Sequence, residues 1–366
     1  MVIIMENQAF LLLEDGTVLA GRPMGKSGRA CGTAVFSTAM VGYQEALTDP
    51  ANDGLLLTQT FPLIGNYGIN RDGWESDRVH AAGYIVREYC ELPSNYKCEG
   101  ALNDFLAENG VVGICDIDTR HLTKLIREKG EQRGMIVSGE AFDREACLKE
   151  LGAWQPENGV KNSGACASGE GTAQAKCRVA VIDFGLTRSL AKALAGRGAE
   201  LVLLPWNATA EQVKASGADA VLLSDGPGDP NGLTDILPNI HDIAALGLPV
   251  LAVSLGHQIL ALAHGMKVGR MKCGHRGANQ PVVNTATGRT YITSQNHGYV
   301  VEAGAADSLP CAVSYRNAND RTVEGLSYRT IPAESVQFIP DNAKGNASTS
   351  YIYDEFLAKI QKGQVK

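Results

Sequence analysis

The most regular pattern of apolar and polar positions lies in the second half of the chain, where short runs of Val, Ile and Leu alternate with helix-like segments. The pattern predicts strands at 177–185, 201–204, 220–223 and 249–253, helices near 188–195, 210–216 and 236–246, and a helix from 255 to a cap at 265. Continuous apolar strands separated by helices are typical of a mainly parallel sheet covered on both faces. Ligands of such sheets bind beyond the carboxyl ends of the strands.

The first half has a different pattern. Residues 10–21, FLLLEDGTVLAG, place apolar runs on both sides of an Asp-Gly pair and predict a β-hairpin. Residues 33–70 are dense in Gly, Pro, Asn and Asp, and we expect long ordered loops there. Helical spacing recurs at 102–108 and 119–129, the second helix starting from a cap at Asp118 or Thr119 and ending at Gly130.

A stretch rich in Gly, Ala, Ser and Asn separates the two patterns between Gly152 and Lys176. Such a composition has little to bury and is typical of a linker. We therefore predict a β-rich α/β domain over 1–150, a linker over 151–176, and a doubly wound, mainly parallel α/β domain over 177–366.

One small polar residue stands at a corner between strand and helix. In PVLAVSLGHQILALAHG (249–265), Ser254 follows the apolar strand and directly precedes the helix, whose C-terminal cap falls at Gly265. A side chain at such a corner is exposed beside the first free N–H groups of the helix, as a nucleophile would be. Serine is also a common N-cap, so position alone leaves both roles open.

Composition and charge narrow the function. The chain has 366 residues, 44% hydrophobic and 20% charged, with a net charge of -7, so neither nucleic acid nor an anionic membrane surface is a favoured partner. Its nine cysteines form no C-x-x-C pair, and we expect no disulfide framework and no metal site. The start of the sequence has no basic region followed by a long apolar run, so a reduced, cytoplasmic protein is expected.

Several short motifs occur in a fixed order. SDGPGDP, SLGHQ, GHRGANQPV, ITSQNHG, TVEGL and SVQF resemble those of triad-type (class I) glutamine amidotransferase domains, over residues 177–343. In the first half, TAMVGYQEALTDPA, FPLIGNYGIN and GICDIDTRHLTKLIREKG resemble the N-terminal domain of the carbamoyl phosphate synthetase small subunit. The resemblance covers nearly the whole chain.

This resemblance implies an activity and a partner. The family's small subunit hydrolyses glutamine and passes ammonia through a tunnel to a large subunit, which makes carbamoyl phosphate for the pyrimidine and arginine pathways. It implies no cofactor in this chain, with ATP and magnesium held by the large subunit. In the family a cysteine at the elbow attacks glutamine, a histidine in a Q-x-H-P-E segment takes its proton, and the glutamate orients that histidine.

The three catalytic positions depart from this pattern. Ser254 stands at the cysteine position, Ile339 at the histidine and Asp341 at the glutamate, and Ala252 replaces the first glycine of the elbow. A thiol with a pKa of about 8.5 is readily made a thiolate, whereas a serine hydroxyl needs a base at the moment of attack. Isoleucine cannot be that base.

The positions that contact glutamine in the family are largely present. By resemblance, glutamine would be bound, though not cleaved, by the following residues: Gly226, Gly228, Leu255, Gln258, Asn296, Gly298 and Tyr299. Two of the family's positions differ, because Tyr299 stands where phenylalanine is usual and Ala39 where a serine contacts glutamine. We interpret His257 and His275 as structural residues and His297 as part of the substrate site.

Three functions remain open after one is excluded. A serine hydrolase of the α/β type needs an acid between nucleophile and histidine, but no Asp or Glu lies between Ser254 and His297, and no histidine follows His297. We favour a small subunit without glutaminase activity that is the structural or regulatory partner of an ammonia-dependent large subunit. The alternatives are a weak serine-dependent amidase with a relocated base and a non-catalytic module that senses glutamine.

Overall fold

The computed structural model describes residues 8–157, 159–161, 175–302, 304, 311–340 and 349–363. The chain divides into two compact units. The first is Met1–Glu157 with Lys272–Gly274, and the second is Asn158–Met271 with His275–Lys366.

The first unit is built on a closed barrel with strand order β1-β2-β8-β6-β4-β3-β9, beside which β5 and β7 form a two-stranded sheet. The strands are β1 Ala9–Leu13, β2 Val18–Gly25, β3 Gly28–Ser37, β4 Leu55–Gln59, β5 Leu63–Ile64, β6 Gly83–Ile85, β7 Glu88–Tyr89, β8 Val112–Cys115 and β9 Gln132–Ser138. The helices are α1 Tyr43–Thr48, α2 Leu102–Glu108, α3 Thr119–Lys129 and α4 Arg144–Ala153, with 3-10 turns at Pro50–Asn52 and Arg71–Gly73.

Two local predictions for this unit are confirmed by the structure. Strands β1 and β2 pair antiparallel around the Asp-Gly turn, where Gly16 has φ 84°. Helix α3 has the predicted bounds: the Asp118 side chain accepts a hydrogen bond from the His121 N–H at its start, and Gly130, with φ 100°, ends it.

The prediction of long loops over 33–70 is wrong. That stretch contains the end of β3, helix α1, the turn Pro50–Asn52 and strand β4. Some of its Gly and Pro residues mark element boundaries rather than loops. Gly42, with φ 84°, begins α1, and the Asp49 side chain accepts from the Ala51 N–H to begin the next turn.

The second unit is built on a nine-stranded sheet of order β11-β10-β12-β13-β18-β17-β16-β14-β15. The strands are β10 Cys177–Asp183, β11 Ala199–Pro205, β12 Ala220–Leu223, β13 Val250–Val253, β14 Val268–Asn284, β15 Thr290–Val301, β16 Cys311–Asn317, β17 Val323–Tyr328 and β18 Ala333–Val336. The helices are α5 Arg188–Ala195, α6 Ala210–Ala215, α7 Leu237–Ala244, α8 Leu255–Ala263 and α9 Tyr351–Gly363, with 3-10 turns at Gly159–Lys161 and Pro230–Ile236.

The parallel sheet predicted from the apolar runs occupies one half of this assembly. Strands β11, β10, β12, β13 and β18 pair in parallel, and apolar clusters cover both faces, one with α7 and α8 and the other with α5 and α9. The antiparallel extension through β17, β16, β14 and β15 was not part of the prediction, because polar residues interrupt any alternation along β14.

The start of the predicted linker has structure of its own. Helix α4 continues to Ala153, and Val160 is buried in an apolar cluster of the second unit. Most of the remainder, 162–174, lies outside the described residues. No helix in the described ranges is long and apolar enough to cross a membrane.

Candidate active site

Ser254 occupies a strained turn between β13 and α8. Its φ of 52° and ψ of -107° lie outside the regions that residues with a side chain ordinarily adopt, at a cost of about 1–3 kcal/mol. The Ser254 N–H donates to Val336 O at 2.9 Å. The side chain makes no N-cap hydrogen bond, so the geometry is that of a nucleophile elbow and not of an ordinary serine cap.

The residues around Ser254 are tightly packed. A Cβ on Gly256 would lie 2.3 Å from Leu223 O, and the Gly256 N–H donates to Ser224 O at 3.0 Å. This contact fixes the first turn of α8 against the end of β12. Ala252, on β13, is fully buried between Leu223 and Ser335 of the adjoining strands.

The position predicted for the base carries an apolar side chain. Ile339 follows β18, and its N–H donates to Ser294 O at 3.0 Å. Its side chain is partly buried and packs against the apolar cluster on the α5 and α9 face of the sheet. Asp341, predicted at the orienting position, lies outside the described residues.

His257 lies one helical turn after Ser254, and its contacts do not connect it to the Ser254 hydroxyl. Its Nδ1 lies 2.8 Å from Ser335 Oγ, and its Nε2 has no hydrogen-bond partner among the described residues. Burial lowers the pKa of His257 to about 3, so the ring is neutral. Within the described ranges no hydrogen bond reaches the Ser254 hydroxyl, and the structure therefore supports the structural interpretation of His257.

Gln258, on the buried side of α8, is hydrogen-bonded to the protein through its side-chain nitrogen only. Its Nε2 donates to Tyr299 O at 2.8 Å and to Gln337 Oε1 at 2.9 Å. These bonds use both amide hydrogens and fix the side chain. Its Oε1, which has no partner in the described part of the chain, is the atom left to accept a hydrogen bond from a ligand.

The loop after β12 is compact for two reasons. A Cβ on Gly226 would lie 2.5 Å from Phe184 O, and Gly228 has φ 91°, which favours glycine. Asp225, just before this loop, accepts from the Thr187 N–H at 3.3 Å and from its hydroxyl at 2.9 Å. Since Thr187 begins α5, the carboxylate also lies at the positive end of that helix.

Three further predicted ligand contacts are neighbours on β15. Asn296 pairs with Arg276 and Tyr299 with Arg270 of β14, and Gly298 lies between them. His297 is buried; its Nδ1 lies 2.8 Å from Tyr299 O and its Nε2 3.0 Å from Gln295 Oε1. Burial, and next the charge of His275, lower the pKa of His297 well below its ordinary value.

Sequence reasoning missed an ionic cluster beside these residues. His275 Nε2 lies 2.9 Å from Asp320 Oδ2, and its Nδ1 lies 3.3 Å from Glu324 Oε1. Burial acts to lower the pKa of His275, but hydrogen bonds to the two carboxylates outweigh it and raise the pKa to about 9. The sequence feature that could have revealed this cluster is Glu324, the glutamate inside the apolar stretch TVEGL, because a buried carboxylate needs a partner.

The structure thus places seven of the eight predicted glutamine contacts, together with Ser254 and Ile339, in the second unit, and these assignments stay predictions. Ala39 lies in the first unit, two residues after the end of β3. Its N–H donates to Ser37 Oγ at 3.3 Å, and the neighbouring Met40 and Val41 are exposed.

Comparison with known families and proteins gives a consistent result. The family model of the carbamoyl-phosphate synthase small chain, CPSase domain, matches residues 11–136, and that of class-I glutamine amidotransferases matches residues 180–359. The carbamoyl phosphate synthase small chain of Bacillus caldolyticus is 41% identical over 359 residues, which is 97% of this chain and 98% of that protein. The small chain of Listeria monocytogenes serotype 4b is 41% identical over 352 residues, 96% of each chain.

Among solved structures, a putative GMP synthase component from Thermoplasma acidophilum matches with a TM-score of 0.43. It is 18% identical, and the match covers 52% of this chain and 98% of that one.

Proposed function

Because this chain belongs to the family of carbamoyl phosphate synthase small chains, we propose that it is a small subunit that has lost glutamine hydrolysis and serves as the structural or regulatory partner of a large chain. The observation that carries this proposal is the environment of Ser254. The elbow is formed and strained, but its hydroxyl has no hydrogen-bond partner in the described ranges, and the base position holds Ile339.

The chemistry at the elbow supports the proposal. Attack on an amide carbonyl by a serine requires removal of the hydroxyl proton as the bond forms. Ile339 has no lone pair to accept it. The imidazole of His257 has its Nδ1 against Ser335, and its Nε2 is fully buried without a partner in the described part of the chain, so neither nitrogen is placed to relay a proton from Ser254. This argues against a weak serine-dependent amidase.

A partner role is supported by the first unit. Full-length similarity to proteins named small chains implies a large chain that completes the enzyme. The first unit exposes large apolar side chains, notably Met40, Val41, Leu92 and Tyr96. Met40 and Val41 are adjacent in the sequence, and an exposed apolar surface at this point is where a partner chain would bind.

Co-expression with the large chain from the same genome tests this role. We expect the two chains to purify as a complex that makes carbamoyl phosphate from ammonium but not from glutamine. The matched control is the large chain alone, assayed with both nitrogen donors. Failure to associate at micromolar concentration, or equal use of glutamine, would contradict the proposal.

Binding of glutamine without cleavage is a second candidate, favoured by Gln258. Its Oε1 is the one polar atom of the side chain without a partner among the described residues, while its Nε2 bonds hold it in place. Calorimetric titration with glutamine is the test. Gln258→Met should abolish the binding heat, whereas Gln337→Met, which removes only the neighbouring acceptor, should weaken binding less.

A further inference from the structure

Three ligand-type side chains converge in the antiparallel half of the second unit. His275 lies on β14, His297 on β15 and Glu324 on β17, and one donor atom of each lies within 4.8 Å of the other two. The Glu324 side chain is fully buried and that of His275 is 12% exposed. The cluster is therefore inside the protein, where donor atoms are held in place by packing.

Each imidazole has one ring nitrogen on the side away from the cluster. That nitrogen faces an oxygen that can only accept a hydrogen bond. His275 Nε2 lies 2.9 Å from the Asp320 carboxylate, and His297 Nδ1 lies 2.8 Å from the backbone oxygen of Tyr299. Each contact fixes the ring N–H on the outward side. His275 Nδ1 and His297 Nε2 then face inward, as in histidines that bind metals. Without an ion, His275 also carries a proton on Nδ1, shared with Glu324 Oε1 at 3.3 Å, and a cation would displace that proton.

The two inward nitrogens meet a third oxygen. Both lie 3.0 Å from Gln295 Oε1. The amide cannot turn over without losing its other bonds, since Gln295 Nε2 donates to Glu324 Oε2 at 3.0 Å and to Thr293 Oγ1 at 3.2 Å. Gln295 Oε1 accepts the His275 Nδ1 proton, but the lone pair of His297 Nε2 then faces the same oxygen, which is repulsive. Either a second proton on His297 or a cation among the three atoms removes this repulsion.

Two protonated rings are an unfavourable solution here. The ring centroids of His275 and His297 are 5.1 Å apart, and two buried cations at that distance repel. A single divalent cation would place the charge of two protonated rings between the donor atoms. It would also balance the carboxylates of Glu324 and Asp320.

We propose that His275 Nδ1, His297 Nε2 and the Glu324 carboxylate bind a zinc-type divalent cation, with Gln295 Oε1 as the fourth ligand. Two imidazoles with a carboxylate are a recurrent zinc donor set. The donor atoms are close enough to share one ion. Zinc bonds of about 2.0–2.2 Å in a tetrahedron place ligand atoms about 3.3–3.6 Å apart. His275 Nδ1 and Glu324 Oε1 are 3.3 Å apart, while the two ring nitrogens, each 3.0 Å from Gln295 Oε1, would have to move slightly away from it.

Four protein ligands leave no open position, so the ion is structural. It would tie β14, β15 and β17 together at the point where β15 carries Asn296 and Gly298 on either side of His297. This inference rests on the cluster alone and does not depend on whether the chain hydrolyses or binds glutamine.

Metal binding to the full-length chain tests the proposal. The purified chain is stripped with a chelator, dialysed, and titrated with Zn²⁺ by calorimetry and with Co²⁺ by visible absorption. We expect one ion per chain, the intense absorption bands of tetrahedral Co²⁺, and a higher unfolding temperature in excess Zn²⁺. Less than about 0.2 ion per chain at micromolar metal, or an octahedral Co²⁺ spectrum, would overturn it.

Variants separate this site from adventitious binding. Glu324→Gln keeps the side-chain shape and should lose more than about 100-fold in affinity, and Asp320→Asn, at a half-exposed outer partner, should lose about 10–100-fold. Cys273→Ser and His264→Gln are the controls and should bind as the unaltered chain does. Loss of binding in either control, or unaltered affinity in Asp320→Asn, would refute the assignment.

Discussion

The Nδ1 atom of His257 lies 2.8 Å from Ser335 Oγ, so the imidazole that follows the elbow is bound to β18. That strand leads four residues later to Ile339, the position expected to supply a base. His257, the histidine nearest to Ser254 in the sequence, is thus bound to β18. The same strand leads to position 339, where the resemblance expects a histidine and the chain has isoleucine.

The burial of His257 makes a prediction about stability and pH. Burial lowers its pKa to about 3 in the folded chain, below the value of about 6.5 in the unfolded chain. Between these values the unfolded chain binds one proton more, so the free energy of unfolding falls as pH falls. We expect His257 to contribute a loss of up to about 1.4 kcal/mol per pH unit below about pH 6.

Urea unfolding at about pH 7.5 and about pH 5 measures this effect. The control is His257→Asn, which retains a polar atom near Ser335 but does not titrate. The difference in stability between the two pH values should be smaller in the variant by about 1 kcal/mol or more. An identical pH dependence in both proteins would show that His257 is not the titrating group.

Two helical glycines should respond oppositely to alanine. A Cβ on Gly256 of α8 would lie 2.3 Å from Leu223 O, whereas one on Gly152 of α4 would meet nothing within 4 Å. We expect Gly256→Ala to cost about 1–3 kcal/mol, because backbone must move, and Gly152→Ala to be neutral or to stabilise by up to about 1 kcal/mol. Thermal unfolding of both variants checks this, and equal costs would mean that the elbow is not tightly packed.

The strain at Ser254 is itself measurable. Because its hydroxyl makes no hydrogen bond in the described part of the chain, Ser254→Ala should change the free energy of unfolding by less than about 0.5 kcal/mol. Ser254→Gly should be more stable than Ser254→Ala by about 1 kcal/mol, since glycine adopts φ 52° without penalty.

The same pair of substitutions at Ser216 gives the control. Ser216 ends α6 with an ordinary φ of -68°, so alanine should be the more stable replacement there. If alanine is also the better residue at 254, the elbow carries no strain.

Repair of the three changed positions tests whether the rest of the site is intact. Ser254→Cys or Ile339→His alone supplies only a nucleophile or only a base, and each should stay near background. The double variant should release ammonia from glutamine at least about tenfold faster than either, because triad members act as a unit. Adding Asp341→Glu should raise the rate further by holding one tautomer.

Trapping of the thioester on the double and triple variants accompanies the rate measurement. An acyl-enzyme is expected in both. A triple variant that binds glutamine yet forms no acyl-enzyme would show that the pocket has changed beyond the three positions.

The parts of this fold that could be predicted from sequence are those with a strong local signal. Apolar runs between helical segments located β10, β12 and β13, and the Asp118 cap with Gly130 fixed both ends of α3. The turn at Ser254 was predictable because an apolar run and a segment with helical spacing meet there with one residue between them.

The missed features depend on contacts between distant segments. Strand β14 has no alternation to mark it, because only Val268, Arg276 and Val282 are buried along its length. The cluster of His275, His297 and Glu324 joins three strands whose order no local pattern encodes. Gly42 and Pro50 were interpreted as loop residues, but they begin helical turns.

Ser254 occupies the position of a nucleophile without, we propose, a nucleophile's function, and release of ammonia from glutamine tests this directly. The purified chain, alone and with its large chain, is compared with Ser254→Ala under the same conditions. We predict that the two proteins are indistinguishable from each other and from buffer. Ammonia release by the unaltered chain that Ser254→Ala abolishes would show instead that Ser254 is a working nucleophile.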